Sequence, residues 1–257
     1  MTAAKIQAIY RYPVKGLTPE PMRHVSLEVG ATLPGDRRYA IENGPSRFDP
    51  AEPRYQPKTH YLMLMRNERL AALKTRFDAP SPTLVIAVEG HEAVRGDLST
   101  APGRAAIERF FADFCRDELR GPPRLLQAPG FSFSDVARKV VSIINLASVA
   151  ALEDVIGAAI DPLRFRGNVY VTGWPAWHEL DLVGREIALG ADARLRVVKR
   201  IVRCAATNVD PETGIRDLAI PDALQRAYGH ADCGIYAEIT AAGDVAPGDA
   251  VALMPGG

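Results

Sequence analysis

Cysteine is scarce: the 257 residues contain three, at positions 115, 204 and 233. That number and their wide spacing exclude a four-cysteine zinc or iron–sulfur centre, and the odd count argues against a disulfide framework, so at least one thiol is free. Long apolar runs are absent too, since no stretch of about 18 or more apolar residues occurs. The N-terminal MTAAKIQAIYRYPVKGL has no apolar core leading to a small-residue cleavage site. A cytoplasmic protein without a membrane partner is therefore expected. Neither sign of charge is in excess, because Lys plus Arg and Asp plus Glu are both 31. No global field draws the chain to nucleic acid, and any anion site must be local. GxGxxG after a strand, GxxxxGK[ST], HExxH and internal repeats are also missing, which leaves nucleotide and zinc-hydrolase readings without support.

What is present reads as an ordinary folded chain, long enough for one large β-rich domain or two smaller ones. Alternating runs around Ile6 to Tyr12 and Arg23 to Val29, separated by Gly16, Pro19 and Pro21, predict a hairpin-like strand pair, with a third strand at Arg38 to Ile41. Ser46 to Lys58 carries three prolines and no periodicity, which predicts a long irregular loop. TLVIAVEG (83–90) predicts a strand, and Ile107, Phe110, Phe111 and Phe114 fall at helical spacing on a helix that includes Cys115.

RGPPRLLQAPG (120–130) reads as the divider between a first domain, 1–125, and a second, 126–257. Next, a strand leads into a helix capped by Asn145 or Ser148 and stopped at Asp161-Pro162. NVYVTG, REIALG, ARLRVVKRIVRC, GIYAEIT and DAVALM are five short strand candidates, with a small helix near PDALQRAY. Many short strands with few helices predict a mainly β, α+β chain built on a closed barrel.

The candidate chemistry centres on Cys204. Lys199, Arg200 and Arg203 precede it, and VDPETG (209–214) follows as a tight turn in which Gly214 adopts positive φ. In such positive surroundings a thiol is either a metal-binding or nucleophilic thiolate, or a small hydrophobe buried for packing. RFRGN (164–168) offers Arg164, Arg166 and Asn168 either as an anion grip or as a solvated basic turn. YPVKG (12–16) and GDRR (35–38) set cations beside glycines, where a backbone approaches an anion closely. His230 with Cys233 has metal-compatible spacing but no second pair, and His178 beside Glu179 reads as an acid–base candidate or as barrel-end packing.

Taken in order, YPVKG, GDRR, FRGN, RCxxTxVDPxTG and GIY followed by PGDAV resemble the MOSC family, the molybdenum cofactor sulfurase C-terminal domain. The layout is similar to members with a preceding MOSC N-terminal β-barrel domain, such as the mitochondrial amidoxime-reducing component and its bacterial relatives. The resemblance implies a MOSC barrel packed with a smaller N-terminal barrel-like domain. It also implies a molybdenum pyranopterin cofactor and reduction of N-hydroxylated compounds.

By motif, Cys204 falls on the molybdenum ligand and catalytic position. Lys15, Gly16, Arg37, Arg166, Asn168, Arg203 and Tyr236 fall on cofactor-contacting ones. The family often has serine where Gly16 and Val202 stand here. Some bacterial relatives append a [2Fe–2S] domain, and its absence before Gly257 implies a separate electron-donor protein beside the small N-oxygenated substrate. A cofactor or sulfur carrier using a Cys204 persulfide, or a non-catalytic binding barrel, are the alternative readings.

Overall fold

The computed structural model describes residues 3–78 and 80–254. Its elements are β1 (Lys5–Arg11), β2 (Glu20–Pro21), β3 (Val25–Leu27), β4 (Ala40–Glu42), β5 (Lys74–Asp78), β6 (Thr83–Val88), β7 (His91–Asp97), α1 (Ala101–Phe114) and β8 (Arg124–Leu126). They continue with β9 (Val141–Asn145), α2 (Leu146–Ile156), β10 (Val169–Thr172), β11 (Glu186–Leu189), β12 (Ala193–Val202), α3 (Ile220–Tyr228), β13 (Asp232–Ala241), β14 (Gly243–Val245) and β15 (Val251–Leu253). The described residues are mainly β with three α-helices, an α+β fold as expected.

One eight-stranded sheet, ordered β15-β11-β12-β13-β9-β10-β1-β2, forms the larger body. It curls into a half-barrel that draws β15 against the start of β1: Ile6 N donates to Asp249 O at 2.8 Å, and Val251 N donates to Ala4 O at 2.8 Å. Period-two burial explains the curl, because Ile187, Leu189, Leu195, Val197, Ile235, Ala237 and Ile239 all point inward into one core. The first strands belong to this body. β1 pairs with β10, β3 with β14, and Ile6, Ile9, Val25 and Leu27 share that core, so strand pairing crosses the expected division at 125/126. The partner of β1 within its own hairpin is β2, not the run at 23–29.

A second core gathers β5-β6-β7, α1 and the segment around Val14, Leu17 and Tyr39. Thr100 caps α1 by accepting from Gly103 N at 3.1 Å, and Ile107 and Phe111 face inward. Cys115 lies just past the helix rather than on it. The proline-rich divider contains β8, which pairs with β4. Asn145, not Ser148, caps α2, and the helix ends at Gly157 (φ +75), four residues before Asp161, because the left-handed turn there suits glycine. No helix among the described residues is long and apolar enough to cross a membrane.

Candidate functional site

Between the two bodies lies a cavity of about 340 Å³, and all eight sequence-predicted site residues line it. β12 ends at Val202 and delivers Cys204 to the mouth of a short 3-10 helix, Ala205–Asn208. Cys204 is half-buried, whereas Cys115 and Cys233 are buried, and burial pushes both of those thiols up to about 12. The three free thiols thus divide into two packing residues and one facing a cavity.

The barrel wall supplies Arg166, Asn168, Arg203 and Tyr236. Arg203 donates from Nη1 to Phe165 O at 2.9 Å and from Nε to Cys233 O at 2.7 Å. Gly234 permits this seat, since a Cβ there would come within 2.6 Å of Ile143 O and 3.0 Å of the Arg203 guanidinium. Asn168, 2% exposed, accepts from Ser142 Oγ at 2.8 Å and Ser142 N at 3.1 Å and donates to Tyr10 O at 3.2 Å. Tyr236 stands beside Lys199, whose ammonium lies 5.6 Å from its ring.

The opposite wall supplies Lys15, Gly16 and Arg37. Lys15 is buried, donates to Phe133 O at 2.9 Å and pairs with Asp135. Arg37 pairs with Asp36, whose other oxygen accepts from Tyr12 N at 2.8 Å. The walls brace each other reciprocally: Arg37 Nη2 donates to Arg166 O at 3.1 Å, and Arg166 Nη2 donates to Leu17 O at 2.9 Å. Both guanidiniums lie over the Tyr12 ring, at 4.9 and 4.2 Å, a cation–π arrangement that lets two like charges sit close together.

Arg37 (φ +49) and Arg166 (φ +50) both hold left-handed backbone, a strained state for a side-chain-bearing residue that clusters at functional sites. Gly16 (φ +83) is left-handed as well, and a Cβ there would stand 3.2 Å from Leu62 O. Glycine in place of the family's common serine therefore follows from the backbone this chain adopts.

Three residues change the sequence reading. Arg164, read with Arg166 as an anion grip, is buried and neutralised by Asp210 at 3.0 Å and Asp217 at 2.7 Å, so it clamps the VDPETG turn. Lys58, at the end of the proline-bearing loop, donates to Cys204 Sγ at 3.3 Å and stands 3.9 Å from Asp135. Asp135 thus joins Lys15 to Lys58. Its enclosure opposes ionisation, but the charges of Lys15, Lys58 and Arg37 outweigh this and hold its carboxyl well below the ordinary carboxylate range. Neither Lys58 nor Asp135 sits in a periodic or motif-bearing segment. For Lys58 the only sequence signal was the length of the loop that ends on it, and for Asp135 there was none.

Residues outside the cavity take the packing roles. His178 lies against Trp174, and Glu179 is fully buried, accepting from Asn145 Nδ2 at 2.8 Å and Ser148 Oγ at 2.8 Å. Burial raises the Glu179 carboxyl, with the hydrogen bonds from Asn145 and Ser148 opposing. His230 Nδ1 accepts from Asp232 N at 3.1 Å, and no group of three or more His, Cys, Asp or Glu side chains that could hold a metal exists among the described residues.

Fold and site together define a curled β-barrel presenting one accessible thiol in a cation-lined cavity. Residues 128–252 match the family model described as MOSC domain. MOSC domains are associated with the molybdenum cofactor. Among solved structures, the YuaD protein from Bacillus subtilis is similar at 15% identity and a TM-score of 0.45, over 97% of this chain and 94% of that one. YiiM from Geobacillus stearothermophilus is similar at 20% identity and a TM-score of 0.35, over 45% of this chain and 54% of that one. No curated protein matches the chain.

Proposed function

We propose that this protein binds a molybdenum pyranopterin cofactor in the cavity and uses it as an oxidoreductase on N-hydroxylated compounds. The observation that carries the reading is the convergence of the accessible thiol Cys204 with Lys15, Arg37, Arg166 and Arg203 in a single cavity. Its volume lies at the lower end of the roughly 300–1,000 Å³ usual for cofactor pockets. The donor set fits the group: a thiolate suits a soft metal, and guanidinium and ammonium groups suit a terminal phosphate.

Cys204 is the metal ligand in this reading. Arg37 and Arg166, held together over Tyr12, are the phosphate grip, with Lys15 and Arg203 adding charge. Asn168, locked by Ser142, and Tyr236 orient the ring system. Gly16 lets the backbone come close. The cofactor, when bound, supplies the two-electron chemistry: an N–OH compound takes up two electrons and two protons and yields the N–H compound and water.

The electrons come from a separate donor protein, the location is cytoplasmic, and the second core, built on β5-β6-β7 and α1, acts as the smaller companion to the barrel. The test is reduction of an amidoxime by molybdenum-loaded protein with a chemical electron donor. Turnover in wild type and none in Cys204→Ser supports the reading, and metal-loaded protein without turnover sinks the enzymatic part of it.

A further inference from the structure

The cavity carries more positive charge than a phosphorylated cofactor takes up. Of the lysines and arginines lining it, Arg37 is paired with Asp36, Lys15 with Asp135, and Arg164 with Asp210 and Asp217. Arg200 stands 3.7 Å from Asp181 and 3.9 Å from Asp232. Four cations remain without a carboxylate of their own among the described residues: Lys58, Arg166, Lys199 and Arg203. Lys58 reaches only the second oxygen of Asp135, at 3.9 Å, while Lys15 holds the first. A phosphate monoester brings about two negative charges at neutral pH. With the Cys204 thiolate counted as one further negative charge, about one of the four cations then stays uncompensated, in a chain whose net charge is zero.

Their placement is uneven. Arg166 and Arg203 are tied to the carbonyls of Leu17, Phe165 and Cys233. Lys58 is on the thiol side, its Nζ 3.3 Å from Cys204 Sγ, while exposed Lys199, on the strand that delivers Cys204, lies against Tyr236 in the same cavity. The mobile ammonium of Lys58 therefore stands beside the sulfur, with that of Lys199 farther along the same cavity.

The geometry points to a small-molecule substrate that itself carries negative charge, with Lys58 as the residue that selects it. The inference rests on the reading of Cys204 as the reacting centre. A lysine suits the task, being a compact charge on a flexible stem that follows its ligand. Partial exclusion of water in the cavity strengthens its attraction for an anion.

The test compares two alkylating reagents on the full chain, made in a host that produces no molybdopterin. Iodoacetate is anionic and iodoacetamide neutral. Both need the same thiolate and similar access, so the ratio of their rates at Cys204 isolates charge from thiol ionisation. Peptide mass spectrometry separates Cys204 from the buried Cys115 and Cys233.

The ratio should exceed that of an unstructured cysteine peptide, fall about fivefold in Lys58→Met as one nearby charge is lost, and fall about twofold in Lys199→Met. Lys58→Arg, which keeps the charge, should hold the wild-type ratio and separates selection from misfolding. A wild-type ratio no higher than the peptide's, or one indifferent to Lys58→Met, overturns the inference. In loaded enzyme, Lys58→Met should raise KM for an amidoxime bearing a carboxylate several-fold more than for its neutral parent, and equal effects on both also count against it. Molybdenum content reports separately on the cofactor reading. A chain that never takes up metal but prefers iodoacetate keeps the anion selectivity and overturns the cofactor.

Discussion

On the barrel wall of the cavity Arg166 and Arg203 are held by backbone carbonyls, whereas on the facing wall Lys15 and Arg37 are held by carboxylates. A carbonyl orients a guanidinium without cancelling its charge, and a carboxylate cancels much of it. The barrel wall therefore keeps permanent positive charge aimed at a ligand. On the facing wall Asp135 already pairs with Lys15 and stands 3.9 Å from Lys58, so it competes with an incoming anion for both. The difference teaches that one wall is a fixed template and the other an ionic contact from which an anion must displace a competitor.

Substitutions break or sharpen this contrast. The largest structural loss should come from Arg203→Met, which strands the carbonyls of Cys233 and Phe165; we expect about 3 kcal/mol from denaturant unfolding, in line with losing a charged, multiply bonded group. Asn168→Ala should follow at about 2 kcal/mol, since Ser142 Oγ and Tyr10 O lose a buried partner. On the facing wall Gly16→Ala should cost about 1–2 kcal/mol through its left-handed backbone alone. Asp135→Asn should cost about 1 kcal/mol, because buried Lys15 keeps its hydrogen bond to Phe133 O but loses its opposing charge, and should tighten binding of inorganic phosphate several-fold by calorimetry. Weaker phosphate binding in that variant would show that Asp135 organises the cations rather than competing for them.

The same contrast explains what was legible in the sequence. Cys204, Arg203, Arg166, Asn168, Arg37 and Lys15 lie in short motifs next to strands and turns, where local rules operate, and the structure brings them together. Lys58 and Asp135 reach the cavity from irregular loops whose path depends on long-range packing, so periodicity could not find them. Arg164 misled because its partners, Asp210 and Asp217, are over 40 residues away. Strand existence was readable for β9 through β13, but the joining of β1 and β3 to the later strands was not, since a pairing such as Ile9 with Val169 leaves no local trace. The strand β8 was hidden by flanking prolines and glycines that read as a divider.

The central claim is that Cys204 holds a molybdenum cofactor in the cavity. Elemental mass spectrometry of molybdenum in protein from a cofactor-competent host, wild type beside Cys204→Ser, tests it most directly. Near-stoichiometric metal in the wild type and its loss in a folded Cys204→Ser is the predicted result; metal absent from both, or retained in the variant, would contradict it.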